Sequence, residues 1–222
     1  MCILIVKTPT GVLTNDMLKA CHESNNDGGG FSYVDDEGNV VVRKGFFQFD
    51  QFLEAYRPIE EQFGPKGPML VHFRISTGGT KTADNCHPFA FKHGAFAHNG
   101  VFFSPPGVKS DTHMLIEKIG DNLSKTSVRL HKKAIEEAFG SFNKCAILYP
   151  DRTFEIINEQ AGEWKEGNWF SNTHWRWRTG GGGVVNRYRA DGLRVPQGAY
   201  NPLAQQGGGY YGHPGWDYEN GD

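Results

Sequence analysis

A chain of 222 residues with 38% hydrophobic content and a formal net charge of -2 is long enough for one well-buried core plus an appendage. The near-neutral balance and scattered basic residues exclude a broad phosphate-binding face, so no nucleic acid partner is expected. No apolar run approaches the roughly 18–20 residues of a membrane span, and the opening Ile3-Leu4-Ile5-Val6 is too short for a secretory signal, so the expected compartment is the cytoplasm.

Along the chain, Cys2 to Val6 reads as a short buried strand ended by the Thr8-Pro9-Thr10-Gly11 turn. Thr14 can cap a helix carrying Met17, Leu18 and Cys21. The runs 31–34 and 40–43 flank Asp35-Asp36-Glu37-Gly38-Asn39, a hairpin signal. Asp50 can cap a helix with Phe52, Leu53, Tyr56 and Ile59 on one face, with Pro58 limiting its regularity. Met69 to Phe73 and Ala95 to Ala97 are further strands. Ser110 caps a helix bearing Met114, Leu115, Ile116 and Ile119, and a second helix spans about 127–139. Two last strands, 144–149 and 153–158, flank Pro150-Asp151-Arg152. Helices and hairpins alternate without a βαβ rhythm, which predicts an α+β fold on mostly antiparallel sheet. Composition changes near residue 180. Residues 1–179 read as the folded domain, whereas 180–222 carry twelve glycines and few aliphatic residues, the composition of a flexible tail.

Four cysteines (Cys2, Cys21, Cys86, Cys145) form no CxxC pair and read as free thiols. Nine histidines include no His-Glu-x-x-His or comparable cluster, so no metal is expected; His72, His87 and His98 read as structural hydrogen-bonders that could lie close together. Gly78-Gly79-Thr80-Lys81-Thr82 lacks the ending of a P-loop, and Gly28-Gly29-Gly30 lacks a dinucleotide fingerprint, so no cofactor is expected.

Cys2 stands apart from the other thiols by position. A thiol with a pKa of about 8.5 needs a base to become a nucleophile. Once Met1 is lost, the α-amine of Cys2, with a pKa of about 7.7–8.0, would be that base on the same residue. A buried cysteine opening a strand is the plainer alternative. Downstream, Arg74 ends an apolar strand before the small-residue run Ile75 to Gly79, where a guanidinium can grip a carboxylate bidentately. Asn99-Gly100 ends a short strand and can offer one side-chain amide and one backbone N–H, the donors of an oxyanion hole. Asp111 in a helix first turn can hold an ammonium group, or simply favour the helix dipole.

Together, in this order, these residues resemble the class II glutamine amidotransferases, whose glutaminase domain has an N-terminal nucleophile. The resemblance runs from Cys2 to about Trp175. It rests on Cys2, His72-Phe73-Arg74-Ile75-Ser76-Thr77-Gly78-Gly79, Asn85 to Phe89, and His98-Asn99-Gly100. Asn26-Asp27-Gly28-Gly29-Gly30-Phe31 is similar to the Asn-x-Asp-Gly-x-Gly signature of the compact, single-domain branch, and Asn172 to a family element near the domain's end. Ile3, where much of the family has a small residue, and Gly78, where many members have histidine, depart from the pattern.

The resemblance implies a four-layer αββα sandwich of the N-terminal nucleophile type. It also implies Cys2 as nucleophile and base, Asn99 and Gly100 as oxyanion hole, Arg74 and Thr77 on the substrate α-carboxylate, and Asp111 on its α-ammonium. The expected activity is hydrolysis of the glutamine side-chain amide through a Cys2 thioester, with ammonia passed to a separate partner synthetase. Two alternatives stay open: hydrolysis of γ-glutamyl peptides or conjugates by the same nucleophile, and a catalytically silent binding module.

Overall fold

The computed structural model describes residues 2–104 and 106–177; the expected tail, 180–222, lies outside the described residues. The described chain is α+β, with ten strands in two antiparallel sheets and four α-helices among these residues. The larger sheet contains β1 (Ile3–Lys7), β2 (Gly29–Val34), β3 (Val40–Phe46), β4 (Met69–Phe73), β9 (Glu163–Lys165) and β10 (Asn168–Phe170), in the order β3-β2-β4-β1-β10-β9. The smaller contains β5 (Phe89–Phe91), β6 (Gly94–Asn99), β7 (Lys144–Leu148) and β8 (Phe154–Ile157), in sequence order.

Strand β1 explains why its sequence is a continuous apolar run. It lies between β4 and β10, and all five of its residues are buried, so both faces need apolar side chains. Ile3 and Ile5 pack with Leu18, Phe52 and Tyr56 of the helices α1 (Asn15–Ser24) and α2 (Phe49–Phe63). Leu4 and Val6 pack on the opposite side, with Ala97, Ala146 and Leu148 of the smaller sheet. That sheet's other face, with Phe96 and Ile147, meets Ile116 and Val128 of the helices α3 (Asp111–Ile119) and α4 (Lys125–Phe139). Three apolar clusters thus follow from strand alternation alone.

Two of the three caps read from the sequence are present. Thr14 Oγ1 accepts from Met17 N–H at 3.2 Å and Ser110 Oγ from His113 N–H at 3.2 Å. Asp35 Oδ1 accepts from Asn39 N–H at 2.7 Å and closes the first hairpin. Asp50 is not a cap: α2 begins at Phe49 after Gln48, which makes no side-chain cap bond, and Asp50 sits in the first turn, where its charge suits the helix dipole. The helix runs through Pro58. Helix α4 begins at Lys125, capped by Ser124, two residues ahead of its expected start. Strands β5, β9 and β10 are additions.

Gly30 on β2 lets the large sheet approach the segment leading into β5. A Cβ there would lie 2.2 Å from the His87 carbonyl oxygen and 2.7 Å from Lys44 Cβ. Gly30→Ala is expected to cost about 1–3 kcal/mol of stability, read as a lower urea midpoint with unchanged slope.

Candidate active site

The alternation that builds the core also gathers the candidate residues. On β1 and β4 the side facing the smaller sheet carries Leu4, Val6 and Leu70, so Cys2, His72 and Arg74 continue that side. The register Ile3 with Phe73 and Leu4 with His72 brings Cys2, one step on, opposite Arg74. On β6, Ala97 faces the larger sheet, and Asn99, two residues later, does too. Gly100 follows at the strand end, and Asp111 opens α3.

Of these groups Cys2, Arg74, Gly100 and Asp111 line a small cavity together with Thr77 and His87, whereas Asn99 is not in its lining. Its volume is about 20 Å³, enough for one water molecule and too small for an amino acid. Asn99 is fully buried; its Nδ2 donates to Ser171 Oγ at 2.8 Å, and Oδ1 has no hydrogen-bond partner among the described residues. Gly100 is required by close approach: a Cβ there would lie 2.1 Å from Asn143 Oδ1 and 2.7 Å from His98 Nε2.

Cys2 is held at its backbone by Asn172, whose Nδ2 donates to the Cys2 carbonyl at 2.7 Å. Its thiol donates to the Ile75 carbonyl at 3.4 Å. Burial pushes the thiol pKa up; the Asp111 carboxylate adds to that, and Arg74 opposes it without overcoming it. At rest the sulfur is therefore protonated, and attack needs a base.

Arg74 is almost fully buried, and its guanidinium is spent on its own loop. Nη1 donates to the Thr80 carbonyl at 3.0 Å, and Nη2 to the Gly78 carbonyl at 2.7 Å and Ser76 Oγ at 3.1 Å. Asp27 braces the same loop from the other side, accepting from Ser76 N–H at 2.8 Å and pairing with Lys81 at 2.6 Å. Burial would raise the Asp27 pKa, but those partners outweigh it and hold the carboxyl below its ordinary value. Asp111 Oδ2 accepts from Phe102 N–H and Oδ1 from its neighbour Thr112 N–H, both within 2.8 Å, which ties the segment after Gly100 to α3.

Two residues that order the surroundings of the cavity, Asn85 and Ser171, had no role in the sequence reading. Asn85, buried, joins the two loops around the cavity. Its Nδ2 donates to the Thr80 carbonyl at 3.0 Å and the Val108 carbonyl at 2.6 Å, while Oδ1 accepts from Ser110 N–H at 2.8 Å. Ser171 links β1 to β6, accepting from Leu4 N–H at 2.9 Å and contacting Asn99. No local signal marks either role, because every partner but Thr80 is distant in sequence.

His72, His87 and His98 do come together: the rings of His72 and His87 are 4.2 Å apart and those of His87 and His98 6.4 Å. His72 Nε2 meets the His98 carbonyl at 3.0 Å; His98 Nε2 meets Asn143 Oδ1 at 2.9 Å and its Nδ1 meets Thr112 Oγ1 at 2.8 Å. With Nε2–H donating to Asn143, a neutral ring is left to accept from the Thr112 hydroxyl at Nδ1. Among the described residues no group of His, Cys, Asp and Glu is arranged to hold a metal ion. Among them, too, no helix is long and apolar enough to cross a membrane.

The fold is similar to that of part of a glutamine amidotransferase, which agrees with the resemblance read from the motifs. Specifically, the chain is similar in structure to glutamine phosphoribosylpyrophosphate (PRPP) amidotransferase from B. subtilis, with a TM-score of 0.50 and 17% sequence identity. The match covers 81% of this chain and 44% of that one, so this chain spans less than half the neighbour's length. No family model matches the sequence, and no curated protein does.

The buried histidines make stability depend on pH. Burial drives the pKa of His72 down to about 3, that of His98 to about 4, and that of His87 well below its ordinary value. The folded state thus resists protonation that the unfolded chain accepts near pH 6.5, so stability is complete above that pH and falls as acid is added toward pH 4. Urea midpoints should drop between pH 7.5 and 5. Replacing His98 with Gln, which cannot titrate, should flatten that slope; an unchanged slope would remove His98 from the account.

Proposed function

We propose that the chain is a glutaminase of the N-terminal nucleophile type, with the two sheets and their flanking helices forming a four-layer αββα sandwich. The observation that carries this reading is the convergence of Cys2, Arg74, Thr77, Gly100 and Asp111, from separate chain segments, on one cavity in a fold shared with a glutamine amidotransferase. After removal of Met1 the Cys2 α-amine takes the thiol proton, and the sulfur attacks the side-chain amide carbon of glutamine. The oxyanion is met by Gly100 N–H and Asn99 Nδ2; ammonia leaves with the proton, and water releases glutamate from the thioester.

Glutamine enters only if the cavity widens. The Gly78 and Thr80 carbonyls and Ser76 Oγ now occupy Arg74 where an α-carboxylate would sit. An incoming carboxylate replaces neutral oxygens with a charged, bidentate partner, which favours the exchange. Asp111 then receives the α-ammonium, and Thr77, exposed on the loop, lies beside the carboxylate. The ammonia acceptor is proposed to be a separate synthetase, and four free thiols suit a reducing cytoplasm.

The test is release of glutamate and ammonia from glutamine, with mass spectrometry of the intact chain. Met1 is expected to be absent, one covalent adduct is expected from an electrophilic glutamine analogue, and Cys2→Ala should lower turnover by at least about 10³-fold. Full activity in Cys2→Ala would end the proposal. Turnover of γ-glutamyl peptides without glutamine turnover would move the substrate to that class.

A further inference from the structure

Hydrogen-bond accounting at Ser171 points to a residue that sets the oxyanion hole. A serine hydroxyl has one proton to give and two lone pairs to receive with. Leu4 N–H, a backbone donor that cannot act otherwise, takes one lone pair at 2.9 Å. Asn99 Nδ2 donates to the same oxygen at 2.8 Å. The Ser171 proton then has no acceptor in that pair of contacts, while Asn99 Oδ1, an acceptor, is buried with no partner. Both residues are fully buried, so two uncompensated groups stand side by side.

The two ends of an amide have the same shape, and a half-turn about its last torsion exchanges them. After that turn Ser171 O–H donates to Asn99 Oδ1, so the hydroxyl proton and the amide oxygen satisfy each other and the unmet need passes to Nδ2 alone. Nδ2 is left with its two hydrogens unused by the protein, which is the state a donor needs before an oxyanion forms. Resting on the glutaminase reading above, we propose that Ser171 is a positioning residue: its hydroxyl, with its lone pair fixed by Leu4 N–H, holds Asn99 in this turned orientation so that Nδ2 serves the tetrahedral intermediate. Strand β1, which carries Cys2, is also held by Ser171 N–H to the Leu4 carbonyl at 2.9 Å, a bond that does not use the hydroxyl.

The test is steady-state hydrolysis of glutamine by Ser171→Ala, Asn99→Ala and the double variant, with iodoacetamide labelling of Cys2 in each. Ser171→Ala should lower kcat about 10- to 100-fold with KM changed less than about threefold. The double variant should lose no more than Asn99→Ala alone, because Ser171 acts only through Asn99. Alkylation of Cys2, a displacement that forms no oxyanion, should keep the wild-type rate. If Ser171→Ala does not fold, Ser171→Cys, which keeps a weak donor, gives the same comparison with a smaller loss. An unchanged kcat, additive losses, or a matching fall in alkylation would overturn the positioning role. The glutaminase reading beneath it fails separately, if wild type does not hydrolyse glutamine or if Cys2→Ala does.

Discussion

Strand alternation in β1 is the constraint on which the site depends. Ile3 and Ile5 must face the helices and Leu4 and Val6 the smaller sheet, because each is fully buried among partners on its own side. A slip of one residue would turn every one of these side chains to the wrong face. Cys2 is therefore directed into the space between the sheets by the four residues after it. Its place opposite Arg74 follows from the same register with β4. The nucleophile needs no special local device to be aimed; the core aims it.

The cavity's other walls are loops, and loops require polar wiring where strands use pairing. Arg74, Asp27 and Asn85 together bond the Gly78, Thr80 and Val108 carbonyls and the Ser76 and Ser110 N–H groups. The arrangement makes Arg74 both the organiser of the closed loop and the proposed receptor for a carboxylate. Those two uses exclude each other at the same donors, so substrate binding and loop rearrangement are one event in the proposed reaction.

What the sequence showed and what it hid divide along contact distance. Apolar runs, capping hydroxyls and the two hairpin turns act over a few residues, and β1, α1, α3 and both hairpins were legible from them. Strands β9 and β10 are three residues each, Glu-Trp-Lys and Asn-Trp-Phe, with no alternation to read; they exist because β10 pairs with β1, more than 150 residues away. Cys2, Arg74, Thr77, Asn99, Gly100 and Asp111 were legible as a set through their motifs, and all but Asn99 line one cavity. The Asn85 bridge and the Ser171 link were not, since Asn85 meets Val108 and Ser110, and Ser171 meets Leu4 and Asn99, only after folding.

The buried histidines bear on which group could take a proton from Cys2. They sit close to the thiol's cavity, and histidine is the usual base for a cysteine nucleophile. Here desolvation works against that role: His98 is held near pKa 4 and His72 near 3, while the thiol lies above its ordinary value near 9. Proton transfer from sulfur to either ring is therefore uphill before any bond to substrate forms. An α-amine, ordinarily at about 7.7–8.0, lies closer to the thiol than either ring does and needs no ring to be desolvated or turned. Neutral rings suit the other task, bracing His98 between Asn143 and Thr112 without placing a positive charge in the core. The same burial that makes the three histidines sound structural members disqualifies them as the base, and the proposed proton acceptor is the amine that Cys2 carries itself.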